Sequence, residues 1–354
     1  MREVDPGAIQ KELDAIWESL ETTNTTRACL FNLIFYTKKN ARTGYIQRLA
    51  QAVIEKFPSR VMLITLDDNL PADALTTRVS ILTSSKGEYD VACDLIQIDA
   101  AHGACARIPF ILLPHILPDL PIYLLIAEDP VCDDPLSQAL EKGAHRIIFD
   151  SEATQDLCHF AFSAQKLYSD LHADIADLNW ARIESWREMI ASTLGVSQPE
   201  TIEVKYNAHK STYFCHTHIQ AVYLQAWLAA QLNWTFQAQE GSLDSALQLR
   251  YTADGHPVNV SLIAQSDPQL PPGLILETTL TTGSGTRFAF ARDPNAIHQI
   301  TLHQSTQDHC LLPSKYIFPK AEVGHSLIKE ICHRGTSLHF LKTLALVQSI
   351  GKLS

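Results

Sequence analysis

Three residues near the middle of the chain have side chains that bind metal ions, namely Cys215, His216 and His218. A structural zinc site usually joins two ligand pairs at a fixed spacing. The sequence around CHTHIQ offers no second pair, and His209 is the nearest further histidine. We therefore interpret this segment as a loop that leads into a helix, and we predict no metal site.

The sequence motifs of nucleotide-dependent enzymes are missing. A dinucleotide fold places G-x-G-x-x-G after its first strand, because these glycines let backbone amides reach the pyrophosphate. The corresponding turn here, YTKKNARTGY, holds a single glycine, and the two glycines of GSGTRF (283–288) lie in a predicted hairpin. The sequence also lacks a Walker A loop and a G-x-S-x-G nucleophile elbow. We expect no catalytic residues, no cofactor and no enzyme activity.

A cluster of basic residues is the candidate anion-binding site. Lys38, Lys39 and Arg42 follow the first predicted strand, where the amino end of a helix favours a negative charge. Carboxylates between Glu128 and Asp134 follow a second strand, and ligands of such sheets bind at the carboxyl ends of strands. The site supports an alternative function, a Rossmann-like enzyme or sensor that binds a sugar phosphate. A solvated charged edge is the simpler interpretation.

The segment DLNWARIESWREMIA (177–191) combines two tryptophans with two arginines. Its apolar residues recur every three or four positions, which predicts one helix with Trp180 and Trp186 on a packed stripe. Arg182 lies about one turn before Trp186 and is expected to stack on its ring, with Arg187 facing elsewhere. Tryptophan and arginine also dominate many protein interfaces. These four residues are therefore our candidate partner-binding residues as well.

The composition describes a globular protein. The 354 residues are 46% apolar and 19% charged, and the net charge of -11 argues against binding to nucleic acid or to an anionic membrane. Eight scattered cysteines without a C-x-x-C motif indicate a reducing compartment. No signal-peptide pattern opens the chain, and prolines and Asp119 interrupt the apolar segment 108–127. We expect a cytoplasmic protein.

Strands and helices alternate through the first half of the chain. The apolar runs ACLFNLIFYT, SRVMLITLD, PIYLLIAE and HRIIFDSE do not alternate with polar residues, which is typical of buried parallel strands. The segments LTTRVSILTS and VACDLIQIDA predict an inserted hairpin. The sequence therefore predicts an α/β fold whose N-terminal domain (1–195) is Rossmann-like, with a mostly parallel sheet and helices on both faces.

The second half of the chain is richer in strands. The strand IEVKY and a long apolar helix, HIQAVYLQAWLAAQLNW, are followed by alternating segments whose turns are TADGHP and TTGSGT. Two helical segments, about 322–334 and 336–350, come last. This order predicts an α+β C-terminal domain (196–354) with a mainly antiparallel sheet.

Several of these segments together resemble the glucose-6-phosphate dehydrogenase assembly protein family, often called OpcA. The most specific are P-D-L-P before an apolar strand and D-L-N-W-x-R-x-x-x-W-R. The segments that carry the resemblance, in chain order, are RACLFNLI (27–34), FPSRVMLI (57–64), LLPHILPDLPIYLL (112–125), FDSE (149–152), DLNWARIESWREMIA (177–191) and YLQAWLAAQLNW (223–234).

The resemblance implies a protein without catalytic residues that promotes the active oligomer of glucose-6-phosphate dehydrogenase or raises its affinity for substrate. On this basis the expected function is an assembly factor and allosteric activator in the oxidative pentose phosphate pathway. The expected partner is the dehydrogenase. In photosynthetic relatives activation is linked to thioredoxin through cysteines, and we assign that role to no cysteine of this sequence.

Overall fold

The computed structural model describes residues 1–20, 25–86, 89–130, 134–171, 173–195, 197–209, 216–320 and 322–351. The predicted fold class is confirmed, since a mostly parallel sheet precedes a mainly antiparallel one. The helices are α1 (Ile9–Leu20), α2 (Thr43–Ile54), α3 (Ile108–Leu112), α4 (Pro135–Glu141), α5 (Leu157–Leu171), α6 (Leu178–Arg182), α7 (Glu184–Leu194), α8 (Ile219–Gln231), α9 (His325–Cys332) and α10 (Leu338–Ile350).

Within the described ranges, nine strands form the first sheet. They are β1 (Arg2–Val4), β2 (Thr25–Arg27), β3 (Asn32–Lys38), β4 (Arg60–Leu66), β5 (Leu75–Lys86), β6 (Tyr89–Ala100), β7 (Ile122–Ile126), β8 (Arg146–Phe149) and β9 (Asp174–Asp177). Their order is β1-β5-β6-β4-β3-β7-β8-β9, with β2 beside β6. All pairs from β6 to β9 are parallel, whereas β5 pairs antiparallel with both β1 and β6.

The central strands of this sheet follow from their apolar sequences. Strand β4 is buried along its whole length, and β3 is buried up to Thr37, because helices cover both faces of a parallel sheet. The predicted hairpin of β5 and β6 is confirmed, although its tip at residues 87–88 lies outside the described residues. The short edge strand β9 was not predicted. Its sequence, DIAD, has a single large apolar residue and gives almost no strand signal.

The second sheet has eight strands in the part of the chain that the structure describes. They are β10 (Pro199–Asn207), β11 (Thr235–Gly241), β12 (Ala246–Ala253), β13 (His256–Gln265), β14 (Ile275–Thr282), β15 (Arg287–Asp293), β16 (Ala296–Ser305) and β17 (Ser314–Ile317). Their order is β11-β12-β13-β10-β14-β15-β16-β17, and every neighbouring pair is antiparallel except β10 with β13. Helix α8 follows β10 in the chain and packs on one face of this sheet.

The chain divides into two compact units that alternate along the sequence. The first unit comprises Met1–Asp150, Leu167–Leu178 and Glu322–Gly335, and the second comprises Ser151–Lys166, Asn179–Ala321 and Thr336–Ser354. The predicted boundary after residue 195 falls between the last strand of the first sheet and the first strand of the second.

Helix α9 returns to the first unit and closes its core. Leu327, Ile328 and Ile331 are buried in the same apolar cluster as residues of α2, β3 and β4. The buried Arg146 of β8 donates to the carboxylate of Glu330 at 2.8 Å and to the carbonyl of Gly335 at 2.9 Å. The first unit therefore needs a segment that lies far from it in the sequence.

A buried ion cluster joins the elements at the amino end of β4. Both Nε and Nη2 of Arg60 donate to the carboxylate of Asp94, which is 4% exposed. Arg27 and the indole of Trp17 donate to the same carboxylate at 2.8 and 2.7 Å. Burial opposes ionisation of Asp94, but the Arg60 charge and these three donors prevail and lower its pKa. One carboxylate thus holds α1, β2, β4 and β6 together.

The P-D-L-P motif forms a loop that the first residue of β3 holds in place. The buried amide of Asn32 donates to the carbonyl oxygens of Leu117 and Leu120 and accepts from the Leu117 N–H at 2.8 Å. Asp119 adopts a left-handed conformation with φ of 65°, which aspartate tolerates better than most residues. The motif is therefore explained by a tight turn that ends where β7 begins.

Candidate functional site

The carboxyl ends of β3 and β7 form the crevice where a sheet of this topology binds its ligands. Strand order reverses between these two strands, and nucleotides bind outside the carboxyl ends at such a point. Here Tyr36 donates its hydroxyl hydrogen to the carboxylate of Asp134. The carboxylate of Glu128 accepts the backbone N–H of Lys38 at 2.5 Å. Protein groups thus hydrogen-bond with one another at the carboxyl ends of these two strands.

Burial and acidity both disfavour an anion in this crevice. Desolvation raises the pKa of Glu128 and, with the Asp134 carboxylate, raises the pKa of the Tyr36 phenol. The remaining cavity, which Asp129 and Ser137 also line, has a volume of about 10 Å³, roughly the room for one water molecule. Sequence reasoning found the carboxylates but missed Tyr36, since a tyrosine in an apolar strand gives no signal of this role.

Of the predicted anion-binding residues, Lys38 lines this crevice, and the other two contact carboxylates. Lys39 makes an ion pair with Asp67 at 2.7 Å, and this hydrogen bond raises the pKa of Lys39. Arg42 is buried and makes an ion pair with Asp150 at the end of β8. Lys38 is half-buried and lines the crevice. Anion binding by Lys38, Lys39 and Arg42 stays a prediction.

The tryptophan segment forms two helices, so the prediction of one continuous helix is wrong. Helix α6 ends at Arg182 and α7 begins at Glu184, with Ile183 between them at φ -91° and ψ 4°. Trp180 and Trp186 nevertheless lie on a buried side, with 4% and 1% of their surface exposed. Periodicity gave the buried face correctly and could not show the interruption between the helices.

The predicted stacking of Arg182 on Trp186 is also wrong. The guanidinium of Arg187 lies over the Trp180 ring instead, 3.3 Å from its centroid. Arg182 makes an ion pair with the buried Glu152 and donates to Asn179 at 2.7 Å. The partners of Arg182 are thus Glu152 and Asn179, and sequence spacing gave no sign of the contact with Glu152.

Aromatic contacts fix both tryptophans within the second unit. Trp180 packs on Phe340 of α10, with ring centroids 5.3 Å apart. Trp186 meets Phe318 edge-on at 5.5 Å, and the guanidinium of Arg292 lies 5.6 Å from the Trp186 ring. Burial of Arg292 lowers its pKa to about 10. These contacts support a packing role for the rings, and partner binding by Trp180, Arg182, Trp186 and Arg187 stays a prediction.

Replacing Arg182 by alanine is expected to lower the free energy of unfolding by roughly 2–3 kcal/mol, because it leaves the buried Glu152 carboxylate without its ion pair. Arg182 itself is 19% exposed, which places the effect below that of a fully buried pair. Chemical denaturation of the full chain measures it. The double variant Arg182→Ala/Glu152→Gln should recover part of the loss. Equal stability of Arg182→Ala and the wild type would contradict the structural role.

The histidines of the CHTHIQ segment give no sign of a metal centre. The rings of His216 and His218 lie 5.4 Å apart, and burial together with the His216 charge lowers the pKa of His218 to about 4. Cys215 lies outside the described residues. Among the residues that are described, no group of three or more histidine, cysteine, aspartate or glutamate side chains is arranged to hold a metal ion.

In the described part of the chain, no helix combines the length and the apolar character needed to cross a bilayer. The apolar segment 108–127 is divided between α3, a 3₁₀ turn, the Asn32-bound loop and β7.

Two family models match consecutive parts of the chain. The model for the N-terminal domain of the glucose-6-phosphate dehydrogenase subunit matches residues 50–165. The model for the C-terminal domain of the glucose-6-phosphate dehydrogenase subunit matches residues 173–326. Together the two matches cover most of the sequence; the first ends within α5, and the second begins just before β9.

Curated relatives of the chain come from cyanobacteria. An OxPP cycle protein, OpcA, from Synechococcus elongatus is 25% identical over 241 residues, which are 66% of this chain and 54% of the relative. An OpcA protein from a Synechocystis species is 25% identical over 193 residues, which are 53% of this chain and 40% of the relative. The chain spans about half the length of the curated relatives it matches.

Solved structures with a similar fold include oxidoreductases. A 3-ketoreductase from Actinomadura kijaniata, in complex with NADP, aligns with a TM-score of 0.53 and 10% identity over 90% of this chain and 97% of its own. A biliverdin reductase from Synechocystis aligns with a TM-score of 0.51 and 9% identity over 89% of this chain and 96% of its own. At such low identity the likeness concerns the fold alone.

Proposed function

The chain belongs to the glucose-6-phosphate dehydrogenase subunit family that includes OpcA, and from this we propose that it is a non-catalytic assembly factor and allosteric activator of glucose-6-phosphate dehydrogenase. It acts in the oxidative pentose phosphate pathway and works by binding the enzyme. The observation that carries the proposal is the match of both family domains, in order, over most of the chain.

The crevice between β3 and β7 supports a role without catalysis. The related folds of known structure hold NADP, whereas here Tyr36, Glu128 and Asp134 occupy the corresponding edge of the sheet. A dinucleotide would have to displace the partly buried Tyr36–Asp134 hydrogen bond and place its phosphates beside carboxylates. Each of these steps is unfavourable. A chain of this fold that keeps the sheet and fills the crevice is suited to binding another protein.

Activation requires that the chain bind the active form of the dehydrogenase more tightly than the inactive form. Equal affinity for both forms would leave their populations unchanged, however strong the binding. A tenfold shift between the two forms needs a preference of about 1.4 kcal/mol. This is a modest demand, which a few contacts unique to one form can meet.

The candidate docking residues within this proposal are Trp180, Arg182, Trp186 and Arg187. The two rings are buried in the second unit, and the residues Arg182 and Arg187 are half-buried. We propose that the arginines contact the dehydrogenase while the tryptophans hold them in place. Cations of this kind recognise carboxylates through directed hydrogen bonds.

A titration tests the proposed function. Purified dehydrogenase from the same cell is assayed with increasing amounts of the full chain, and sedimentation velocity measures complex formation in parallel. We expect a complex together with about a tenfold rise in kcat/KM, the change that a preference of roughly 1.4 kcal/mol produces. The titration is repeated with Arg187→Ala and with Arg48→Ala, a control at an exposed position of α2.

The outcomes separate activation from two other functions, a structural subunit without regulatory effect and a sugar-phosphate enzyme. A complex with unchanged kinetics would show a purely structural component and contradict activation. Turnover of glucose 6-phosphate or another sugar phosphate by this chain alone would contradict the non-catalytic assignment and favour the enzyme alternative. Loss of activation in Arg187→Ala but not in Arg48→Ala, with melting temperatures unchanged, would support the docking residues.

A further inference from the structure

In the described part of the chain, Arg292 is a half-buried cation without a carboxylate partner. The residue lies near the end of β15, close to the turn that leads to β16. Its Nε donates to the carbonyl oxygen of Ile275 at 2.8 Å, and its Nη1 donates to the carbonyl oxygen of Ile297. Burial lowers the pKa of Arg292 to about 10, which leaves the guanidinium positively charged at neutral pH.

Four other arginines that are buried or half-buried each make an ion pair with an aspartate or glutamate side chain of this chain. They are Arg42, Arg60, Arg146 and Arg182. Removing a cation from water is unfavourable unless a counter-charge and hydrogen bonds replace its hydration. At Arg292 two backbone carbonyls replace part of the hydration, but they supply no negative charge. Arg292 is therefore suited to an anion that comes from outside the chain.

Two aromatic rings hold the Arg292 guanidinium and leave one of its nitrogens free. The Cζ atom lies 5.6 Å from the ring centroid of Trp186 and 5.7 Å from that of Phe318, and the two rings meet edge-on. Nη2 has no acceptor among the residues that the structure describes, and it is not closed off from solvent. The rings and the two carbonyls restrict the rotation of the side chain, so an incoming anion meets a preorganised donor.

The surroundings of Arg292 favour a carboxylate over a phosphate. A guanidinium recognises a carboxylate through directed, charge-assisted hydrogen bonds, and both hydrogens of Nη2 can take part. Phosphate sites usually combine several donors, such as the backbone amides of a helix N-terminus or a nest. The groups that contact Arg292 here are two carbonyl oxygens and two rings. The ring of Phe318 is half-buried and offers apolar contact to the body of an organic acid.

We propose that Arg292 binds the carboxylate of an organic ligand, with Phe318 as the apolar wall beside it. The carboxylate accepts hydrogen bonds from Nη2 and supplies the missing negative charge, while the buried ring of Trp186 keeps the guanidinium in place. This carboxylate belongs either to a free organic acid or to an acidic side chain of another protein, and the experiment separates the two sources. The site goes beyond the proposed function, since its first measurement needs no dehydrogenase.

The experiment is a calorimetric titration of the full chain with acetate, benzoate and inorganic phosphate at constant pH and ionic strength. We expect both carboxylates to bind, benzoate more tightly because its ring contacts Phe318, and phosphate more weakly than either. Arg292→Gln should weaken benzoate binding at least about tenfold, the change that the loss of one charge-assisted hydrogen bond produces. Arg250→Gln is the matched control, because Arg250 is an exposed arginine of the same unit and should leave binding unchanged.

Circular dichroism verifies that each variant folds, and Phe318→Ala decides the question if Arg292→Gln does not. Phe318→Ala removes the apolar wall, so it should lower the affinity for benzoate to that for acetate. A wild-type chain that binds neither carboxylate overturns the proposal, and so does tighter binding of phosphate. Unchanged benzoate affinity in a folded Arg292→Gln variant overturns it as well, as does an unchanged preference for benzoate in Phe318→Ala.

Adding the dehydrogenase identifies the source of the carboxylate. If benzoate displaces the enzyme and Arg292→Gln weakens its binding, an acidic side chain of the enzyme occupies the site. If benzoate binds at Arg292 while neither benzoate nor Arg292→Gln affects the enzyme, the ligand is a free organic acid. A chain that does not bind the dehydrogenase at all contradicts the proposed function, whereas the benzoate titration still decides the role of Arg292.

Discussion

The variant Asp94→Ala is expected to have a free energy of unfolding about 3–5 kcal/mol below that of the wild type, because the substitution leaves the buried guanidinium of Arg60 without its carboxylate. Asp94 accepts hydrogen bonds from Arg60, Arg27 and Trp17, so one substitution loosens four elements of the first unit. The typical stability of a protein is about 5–15 kcal/mol. The loss is therefore a large share of the total, and chemical denaturation of the full chain measures it.

Asp94→Asn is the matched control, since it keeps the shape and an acceptor for Trp17 but removes the charge. Asp94→Asn should lower the free energy of unfolding by less than Asp94→Ala does. The folded-state pKa of Asp94 is lowered, so the charge stabilises the fold above the unfolded pKa of about 3.9, and this contribution is lost as the pH falls through the folded value. The stability difference between wild type and Asp94→Asn should shrink below about pH 4. A difference independent of pH would contradict the ionic role.

A fragment that ends at residue 195 is expected to lack a stable fold, because the first unit needs the segment Glu322–Gly335. Without α9 the cluster around β3 and β4 exposes the apolar surface that Leu327, Ile328 and Ile331 cover. Each of these side chains contributes about 1.5–3 kcal/mol when fully buried. Arg146 also loses both of its partners in that segment. Thermal unfolding followed by circular dichroism tests this directly.

The control is a fragment in which residues 322–335 are joined to residue 195 through a flexible glycine and serine linker. This fragment should unfold cooperatively, and its melting temperature should exceed that of the shorter one by many degrees. If residues 1–195 alone unfold as cooperatively as the linked fragment, then α9 contributes little, and the first unit is independent of the C-terminal segment.

Most of the fold could be predicted from the sequence, because its signals are local. The strands β3, β4, β7 and β8 are apolar runs bounded by helices of clear periodicity. In the hairpin of β5 and β6, apolar and polar residues alternate along the strands. The sequence could not show which distant segments pack against one another. Nothing in the pattern of α9 indicates that it packs on α2, since an amphipathic helix shows that one face is buried without showing against what.

The candidate sites were predictable in part. The carboxyl ends of β3 and β7 were identified from topology rules alone, together with their charged residues. The pairing of Arg42 with Asp150 and of Arg182 with Glu152 depends on side-chain positions that spacing does not determine. The stacking of Arg187 on Trp180 was also missed, because the apolar stripe shows which rings are buried but not which arginine covers them.

The alternation of the two units along the chain has a consequence for biosynthesis. A ribosome makes the strands of the first sheet early, but their apolar core stays open until residues 322–335 have emerged. Residues 179–321 must be translated in between, which takes roughly 7 to 30 seconds at about 5–20 residues per second. During that interval the nascent chain presents an uncovered apolar surface, so a chaperone that shields it would protect the growing protein from aggregation.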